Sequence, residues 1–190
     1  MNTIYTTTNM TERKKPHQNI KTYPKDILYI AKMMEMRVTL LPMEIGTNVT
    51  KDNLRSTLET FIGGKCIEEG YVKPNTIKIQ SYSAGVLKKD RIEFYVVFEC
   101  KTYNPAEGSW IKQCKVSSVT KAGIHADVID EDQNIPATVF IIRDHFGDNK
   151  YFNTIQEQDE VNIKVIGVRF ELNDPFVEIL GNLMPKEIHK

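Results

Sequence analysis

Hydrophobic and polar positions alternate most clearly in the middle of the chain, from Arg91 to Val119. In a strand over residues 92–101, the side chains on one face would all be apolar and those on the other face would be mixed. The apolar set is Ile92, Phe94, Val96, Phe98 and Cys100, and the mixed set is Glu93, Tyr95, Val97, Glu99 and Lys101. A proline- and glycine-containing turn at 104–108 follows, and alternation resumes from Ile111. The pattern predicts a long half-buried strand, a turn and a second strand, so the turn joins two sheets or two modules.

The residues before this strand predict a small α+β module. Arg37 to Leu41 has the pattern of a strand that Pro42 ends, and a helix is predicted from about Thr50 to the stop at Gly63 and Gly64. Its apolar residues at helical spacing, expected in the core, are Leu54, Leu58, Phe61 and Ile62. Short strands at 76–81 and 85–87 complete a sheet that should cover this one helix.

Beyond the turn the pattern becomes all-β. Strands are predicted at 109–119, 124–129, 137–142, 160–172 and 176–180, with a polar, helix-compatible stretch from 143 to 159 between the third and the fourth. Five strands with an irregular segment in that place match the Greek-key order of the OB barrel. Barrels of this type often bind single-stranded nucleic acid on one face.

The first 36 residues predict a flexible basic arm. They are polar and show no apolar period until Pro24, where a short helix from Lys25 to Met34 is compatible with the sequence. The cluster Arg13, Lys14 and Lys15 is either a solvated tail or a contact to an acidic partner or a phosphate backbone.

Composition narrows the function classes. The 190 residues carry zero formal net charge, so no global field draws the chain to nucleic acid or membrane, although residues 1–37 are basic and the remainder is acidic. Three cysteines without a CxxC pair favour reduced thiols in an intracellular protein. The sequence lacks a membrane-length apolar run and a signal-peptide core, so we expect a soluble protein that is not exported.

Catalytic and metal-binding signatures are missing from the sequence. The four histidines lack metal-ligand spacing, and the acidic stretch from Asp127 to Asp132 lacks the glycine and distal glutamate of an EF-hand, so a solvated loop is the better interpretation. A glycine-rich phosphate loop and a nucleophile elbow are also missing. We therefore predict no catalytic residues, metal or cofactor.

An ordered series of short matches covers about three quarters of the chain. The pieces are Val38–Pro42 with Ile45-Gly46, Leu58–Cys66, Gly70–Val72, Glu93–Val96 with Tyr103–Gly108, and Val139–Ile141. The series resembles the larger stalk subunit of archaeal and eukaryotic DNA-directed RNA polymerases, which is the seventh subunit of polymerase II and its archaeal counterpart. Ser109-Trp110 after the junction glycine, His125 in the second barrel strand and the N-terminal arm depart from the family. The divergence and the high Asn, Ile and Lys content would suit a version encoded by a large DNA virus.

The resemblance implies an architecture and a function. It implies an RNP-like tip module at 37–107, an OB-fold RNA-binding barrel at 108–190, and a non-catalytic role in transcription. The tip would dock on the polymerase core and clamp, a smaller helical stalk subunit would pair with the chain, and the barrel would guide exiting RNA. The implied core-contact residues are Pro42, Met43, Glu44, Ile45 and Gly46, and an apolar exposed loop agrees with such a contact. The alternative is that Met43 and Ile45 fold back onto their own sheet.

RNA binding needs cations for phosphates and flat groups on which bases stack. The candidates in the barrel are Trp110, Lys112, Lys115, Lys121, His125, Arg143, Lys150 and Tyr151. Lys112 shares the strand parity of Trp110, whereas Lys115 does not, so these residues cannot all lie on one face. With neutral net charge we expect weak, salt-sensitive binding of nascent RNA without sequence preference.

Two other functions remain open at this stage. A free-standing OB-fold protein of translation or RNA processing would be a monomer that binds single-stranded RNA. An enzyme or small-ligand binder on the same barrel would need a convergent polar pocket, which the sequence does not show. The polymerase function places the chain in the nucleus if it is cellular, and in the host cytoplasm and virion if it is viral.

Overall fold

The computed structural model describes residues 28–46, 49–143 and 151–184. The first half contains β1 (Ile30–Leu40), α1 (Thr50–Ile62), β2 (Cys66–Ile67), β3 (Gly70–Val72), β4 (Lys78–Tyr82), β5 (Val86–Lys88) and β6 (Arg91–Tyr103). The second half contains β7 (Trp110–Val119), β8 (Gly123–Val128), β9 (Ala137–Ile142), β10 (Glu160–Arg169) and β11 (Val177–Met184). None of the helices in the described ranges is long and apolar enough to cross a membrane. The predicted α+β class with a barrel is confirmed.

The N-terminal sheet is organised around β6. The whole of β1 pairs with one edge of β6, while β3, β4 and β5 pair with the other edge, and β2 extends the sheet beyond β3. The predicted alternation along β6 is confirmed, because Phe94, Val96, Phe98 and Cys100 are all buried. Helix α1 lies on this apolar face and buries three of its four predicted core residues, but Phe61 is 58% exposed.

The predicted short helix from Lys25 to Met34 is wrong over residues 30–34, which are strand. Residues 25–27 lie outside the described ranges. The ladder between β1 and β6 runs without interruption from Ile30↔Thr102 to Leu40↔Ile92. Isoleucine, alanine and methionine are compatible with a helix locally, but pairing with a buried central strand overrides that weak preference. The sheet therefore includes residues 30–36, which were predicted to belong to the arm.

The C-terminal half closes into a barrel with the strand order β10-β11-β9-β8-β7. β11 and β9 are parallel and the other neighbouring pairs are antiparallel, as in a five-stranded Greek-key barrel. The interior is filled by buried side chains that include Ile124, Val139, Ile141, Ile163 and Ile179. In the described part of the stretch from 143 to 159, the predicted helical character is limited to 3-10 conformation at Arg143 and in the turn Phe152–Thr154.

Candidate functional site

The sheet and the barrel are joined by backbone hydrogen bonds. The N–H of Cys66 donates to the carbonyl of Asp174 at 2.8 Å, and the N–H of Asn173 donates to the carbonyl of Cys66 at 2.9 Å. The loop between β10 and β11 thus pairs with the edge strand β2. Cys66, Tyr71 and Tyr103 are also buried in the same apolar cluster as the barrel interior. The two modules therefore share part of one core.

A buried lysine forms the charged part of this junction. Lys73 follows β3, and its ammonium group lies 2.7 Å from Asp132, 3.0 Å from Glu131 and 3.7 Å from Asp130. The side chains of Lys73 and Asp130 are 6% and 2% exposed, whereas those of Glu131 and Asp132 face solvent. The three carboxylates raise the pKa of Lys73 through hydrogen bonds and charge, with Asp132 as the largest contributor, although burial acts against them.

Asp130 is not the solvated loop residue that the sequence predicts. Its two oxygens accept hydrogen bonds from the Tyr29 hydroxyl at 2.8 Å, the Asn134 side chain at 2.9 Å and the backbone N–H groups of Asp132 and Asn134. Burial by itself would raise the pKa of Asp130, but these donors together hold that pKa below its ordinary value. The Tyr29 ring also lies 5.1 Å from the ammonium nitrogen of Lys73, so the residue before β1, the residue after β3 and the acidic loop meet at one point.

The predicted core-contact residues form a compact turn after β1. Pro42–Glu44 is a 3-10 turn, the Glu44 carboxylate accepts the N–H of Leu41 at 2.6 Å, and Asn53 of α1 donates to the Glu44 carbonyl at 2.7 Å. The structure separates the two apolar residues of this turn. Met43 is 85% exposed, whereas Ile45 packs against the core of the sheet module.

A second exposed apolar segment, which was not among the sequence candidates, lies beside this turn. Val86 and Leu87 in β5 are 51% and 68% exposed. Leu87 pairs with Ile92, which in turn pairs with Leu40 at the end of β1, so the β5–β6 hairpin and the 3-10 turn lie at the same end of the sheet. Two adjacent apolar residues before the charged Lys88–Arg91 turn were the available sequence signal. We call Met43, Val86 and Leu87 the apolar tip.

The predicted RNA-binding residues fall on different parts of the barrel. Trp110 and Lys112 lie on β7, and Trp110 is directly opposite Lys164 of β10, a cation that was not among the sequence candidates. Lys115, also on β7, lies between two acids, Asp127 of β8 and Glu160 of β10.

The prediction that Lys115 lies on a different face from Trp110 and Lys112 is wrong, because the positive φ of Gln113 (59°) and a register shift in the pairing with β10 interrupt the alternation. Ile111 and Cys114 are buried, whereas all three candidates are exposed and lie on the surface that we call the β7–β10 face.

His125 belongs to a different face, formed by β8 and β9. Its ring is exposed and stacks on Phe140 of β9, with ring centroids 4.6 Å apart and an angle of 34° between the planes. Phe140 was not a sequence candidate, because the apolar pattern of β9 gives no sign that a ring on the neighbouring strand lies opposite it.

Lys121 and Arg143 lie near the end of this face. The Arg143 guanidinium donates to the carbonyls of Lys121 and Thr120 and to Asn153, and stacks 4.7 Å from the Phe152 ring. Val119, Thr120, Lys121 and Arg143 line an open depression of about 510 Å³. The Tyr151 ring packs against the barrel core, and Lys150 lies outside the described residues.

The cysteines are buried thiols in the described structure. Burial raises the pKa of Cys66 to about 11, that of Cys100 to about 11 and that of Cys114 to about 12, so these groups stay protonated near neutral pH. Within the described ranges, no group of three His, Cys, Asp or Glu side chains is placed to hold a metal ion.

Comparison with known proteins identifies relatives that span most of the chain. The chain is 26% identical over 174 residues to a protein of Acanthamoeba polyphaga mimivirus whose name assigns it as a DNA-directed RNA polymerase subunit, covering 83% of this chain and 82% of the relative. It is also 26% identical over 161 residues to DNA-directed RNA polymerase II subunit RPB7 of Glycine max, covering 76% of this chain and 86% of the relative. No protein-family model matches the chain. The resemblance to the larger stalk subunit is thus confirmed. Over most of its length the chain is similar to RPB7-type subunits, which are non-catalytic parts of RNA polymerase. One of the two relatives is viral.

Proposed function

We propose that this chain is the larger stalk subunit of a multisubunit DNA-directed RNA polymerase. The observation that carries the proposal is the similarity to two polymerase subunits, one viral and one from a plant, across both the sheet module and the barrel. The order of the two modules along the chain is the order expected for such a subunit. The function is non-catalytic, and the protein would work inside the cell, in the nucleus or, for a virus, in the host cytoplasm and virion.

The N-terminal sheet with its single helix would serve as the RNP-like tip module that docks on the polymerase core and clamp. The apolar tip supports this role, because an exposed methionine and an exposed leucine at the same end of the sheet are unfavourable in water and suit an apolar pocket on a partner. Pro42, Glu44 and Gly46 would shape the turn that presents Met43. A smaller helical stalk subunit would bind elsewhere on the chain.

The barrel would guide the exiting RNA. Exposed aromatic rings and lysines on the outer surface of its strands support this role, since bases stack on flat side chains and phosphates pair with cations. The zero net charge favours weak binding without sequence preference, with an affinity that decreases as salt increases.

Affinity purification of the tagged full-length chain from its source cells or virions tests the proposal. We expect the large polymerase subunits to co-purify with the wild-type chain. The double variant Met43→Ser, Leu87→Ser should lose them, because it removes the two most exposed side chains of the apolar tip. Leu172→Ser is the matched control, since Leu172 is 63% exposed but lies on the barrel loop that follows β10.

The outcomes separate the two leading functions. Recovery of polymerase subunits with the wild type and the control, but not with the tip variant, supports docking through the tip. Recovery of the wild-type chain alone, or only with RNA, would reject the stalk function. That result would favour a free-standing OB-fold RNA-binding protein of translation or RNA processing, for which the exposed His125–Phe140 stack is the supporting observation.

A further inference from the structure

One edge of β1 is open in the described structure. β1 pairs with β6 along its other edge over all 11 residues, without a bulge or a proline, and within the described ranges no strand pairs with the open edge. Such an edge presents unpaired backbone N–H and C=O groups to a further strand. Native edges are usually protected by bulges, prolines or short length, and β1 has none of these. The edge is therefore suited to the addition of a strand.

The apolar face of the sheet is incompletely covered at this edge. Met34 and Met36 lie opposite Phe98 and Val96, which are completely buried, but the two methionines are only partly buried. On the opposite face of β1, Met33 is 57% exposed. A strand added beyond β1 would cover the partly buried methionines and remove more apolar surface from water.

The exposed face of β1 carries two opposite charges that the sheet does not pair. Glu35 and Arg37 are exposed, lie two residues apart and stand opposite Val97 and Tyr95 of β6, which are uncharged. Neither forms an ion pair with another residue in the described part of the chain. Opposite charges directly across two strands stabilise the pairing, and like charges destabilise it. An added strand is therefore favoured if it sets a base opposite Glu35 and an acid opposite Arg37.

A second copy of β1 meets this requirement in one antiparallel register. If Met36 lies opposite Met36 of the second copy, Glu35 of each copy lies opposite Arg37 of the other, and two-fold symmetry gives two charge pairs. The same register sets Met34 opposite Val38 on the apolar face. A shift of the centre by one residue would set either Glu35 opposite Glu35 or Arg37 opposite Arg37, so like charges would meet.

We propose that the free chain forms a two-fold symmetric dimer, in which the β1 strands of two copies pair antiparallel about Met36 and join the two N-terminal sheets into one. Backbone hydrogen bonds and covered methionines stabilise the contact, and the two charge pairs fix its register. Because one strand edge is a small interface, we expect a weak and reversible dimer. The inference goes beyond the proposed polymerase function, does not depend on it, and is tested without a polymerase.

Sedimentation velocity of the full-length chain over a range of protein concentrations tests the dimer. The wild-type chain should shift from monomer to dimer as its concentration rises. Glu35→Arg sets like charges across both pairs, as does Arg37→Glu, so each variant alone should dimerise roughly tenfold more weakly or worse. An equimolar mixture of the two variants restores opposite charges in both pairs. It should dimerise about as strongly as the wild type.

Glu171→Arg is the matched control for the change of charge. Glu171 is a carboxylate on the barrel whose side chain is 74% exposed, so its reversal should alter dimerisation by less than about twofold. An equal loss with this control would show that association follows net charge rather than β1. The proposal is also rejected if the wild-type chain stays monomeric at every concentration, or if the mixture associates no better than each variant alone.

A disulfide tests the register. With oxidised glutathione as the oxidant, Met36→Cys should form a covalent dimer, because residues directly opposite each other in an antiparallel pair have Cα atoms about 4.5 to 5.5 Å apart, within the range of a disulfide. Met34→Cys should not, since position 34 lies opposite Val38 rather than position 34 of the second copy. The native cysteines are buried and should not react. A covalent dimer of Met34→Cys without one of Met36→Cys would reject pairing about Met36.

Discussion

Two regions of the molecule differ in which side chains they expose to solvent: the junction between sheet and barrel, and the apolar tip. The junction buries charge, with Lys73 and Asp130 almost inaccessible to solvent, whereas the tip leaves Met43 and Leu87 largely in water. A monomer that folds only for its own stability favours the reverse arrangement. The junction is therefore complete within the chain, and the exposed tip is the arrangement expected if a partner covers it, as proposed above.

The junction tolerates its charges because every oxygen of Asp130 is used. Four hydrogen bonds and the ammonium group of Lys73 replace the water that the carboxylate loses. Buried ion pairs add little net stability, but losing one partner is costly because the other remains buried. Such an arrangement favours one relative orientation of sheet and barrel, which a stalk needs if docking at the tip is to position the barrel.

The largest expected effect comes from breaking the junction with Lys73→Met. This change keeps the apolar stem and removes the charge, so Asp130 is left without its buried cation. We expect the free energy of unfolding to fall by about 3 kcal/mol or more. Urea unfolding followed by the fluorescence of Trp110, the single tryptophan, measures the change.

The control for this prediction is Lys88→Met. Lys88 forms an ion pair of the same 2.7 Å length with Glu93, but its side chain is 56% exposed. Its loss should cost less than about 1 kcal/mol, as for other surface pairs. Equal effects of the two substitutions on the free energy of unfolding would contradict the prediction that losing the buried charge of the junction costs more than losing a surface ion pair.

The pH dependence of stability sharpens the same comparison. The folded-state pKa of Asp130 is depressed, so its stabilisation is present above the ordinary aspartate pKa of about 4 and is lost as pH falls through the lower folded value. The raised pKa of Lys73 acts in the other direction, so its stabilisation is present below about pH 10 and is lost only as pH rises through the folded value. The junction should therefore be most stable in the wide window between these limits.

The variant Asp130→Asn tests the acid limb. It should unfold more easily than the wild type at pH 7, and the difference in urea midpoint should shrink as the pH falls toward 3. A difference that stays constant from pH 7 to pH 3 would show that the charge of Asp130 does not stabilise the folded state.

Sequence patterns predicted β6 and the barrel strands, because burial of one face makes apolar residues recur at every second position. Phe94, Val96 and Phe98 carry that period plainly. The same reasoning failed for residues 30–34, where the apolar residues have no single period and pairing with β6 decides the structure. Local patterns therefore predict an element when one face is fully buried, and they are weak at a half-exposed edge strand.

The junction could not be predicted, since its partners are far apart in the chain. Lys73 and Asp130 are separated by more than 50 residues and come from different modules. An acidic run such as Asp130–Asp132 is usually solvated, and only the fold shows that a lysine lies behind it. The tip was predicted in part. The apolar residues of the turn after β1 pointed to it, but only the register of β5 on β6 shows that Leu87 lies at the same end of the sheet.

The smallest expected change in stability distinguishes the two apolar residues of the tip turn. Ile45→Ala removes a side chain that packs against the sheet core, so the free energy of unfolding should fall by about 1 to 2 kcal/mol. Met43→Ala removes a side chain that is 85% exposed, so stability should change by less than about 0.5 kcal/mol. Urea midpoints of the isolated chain measure both.

The same two variants should reverse their order when polymerase association is measured. Met43→Ala should weaken co-purification of the large subunits more than Ile45→Ala does, because only the exposed side chain is available to a pocket on the partner. If Met43→Ala destabilises the isolated chain as much as Ile45→Ala, Met43 packs on its own sheet in solution. The tip would then be complete without a partner, and the contrast with the junction would no longer hold.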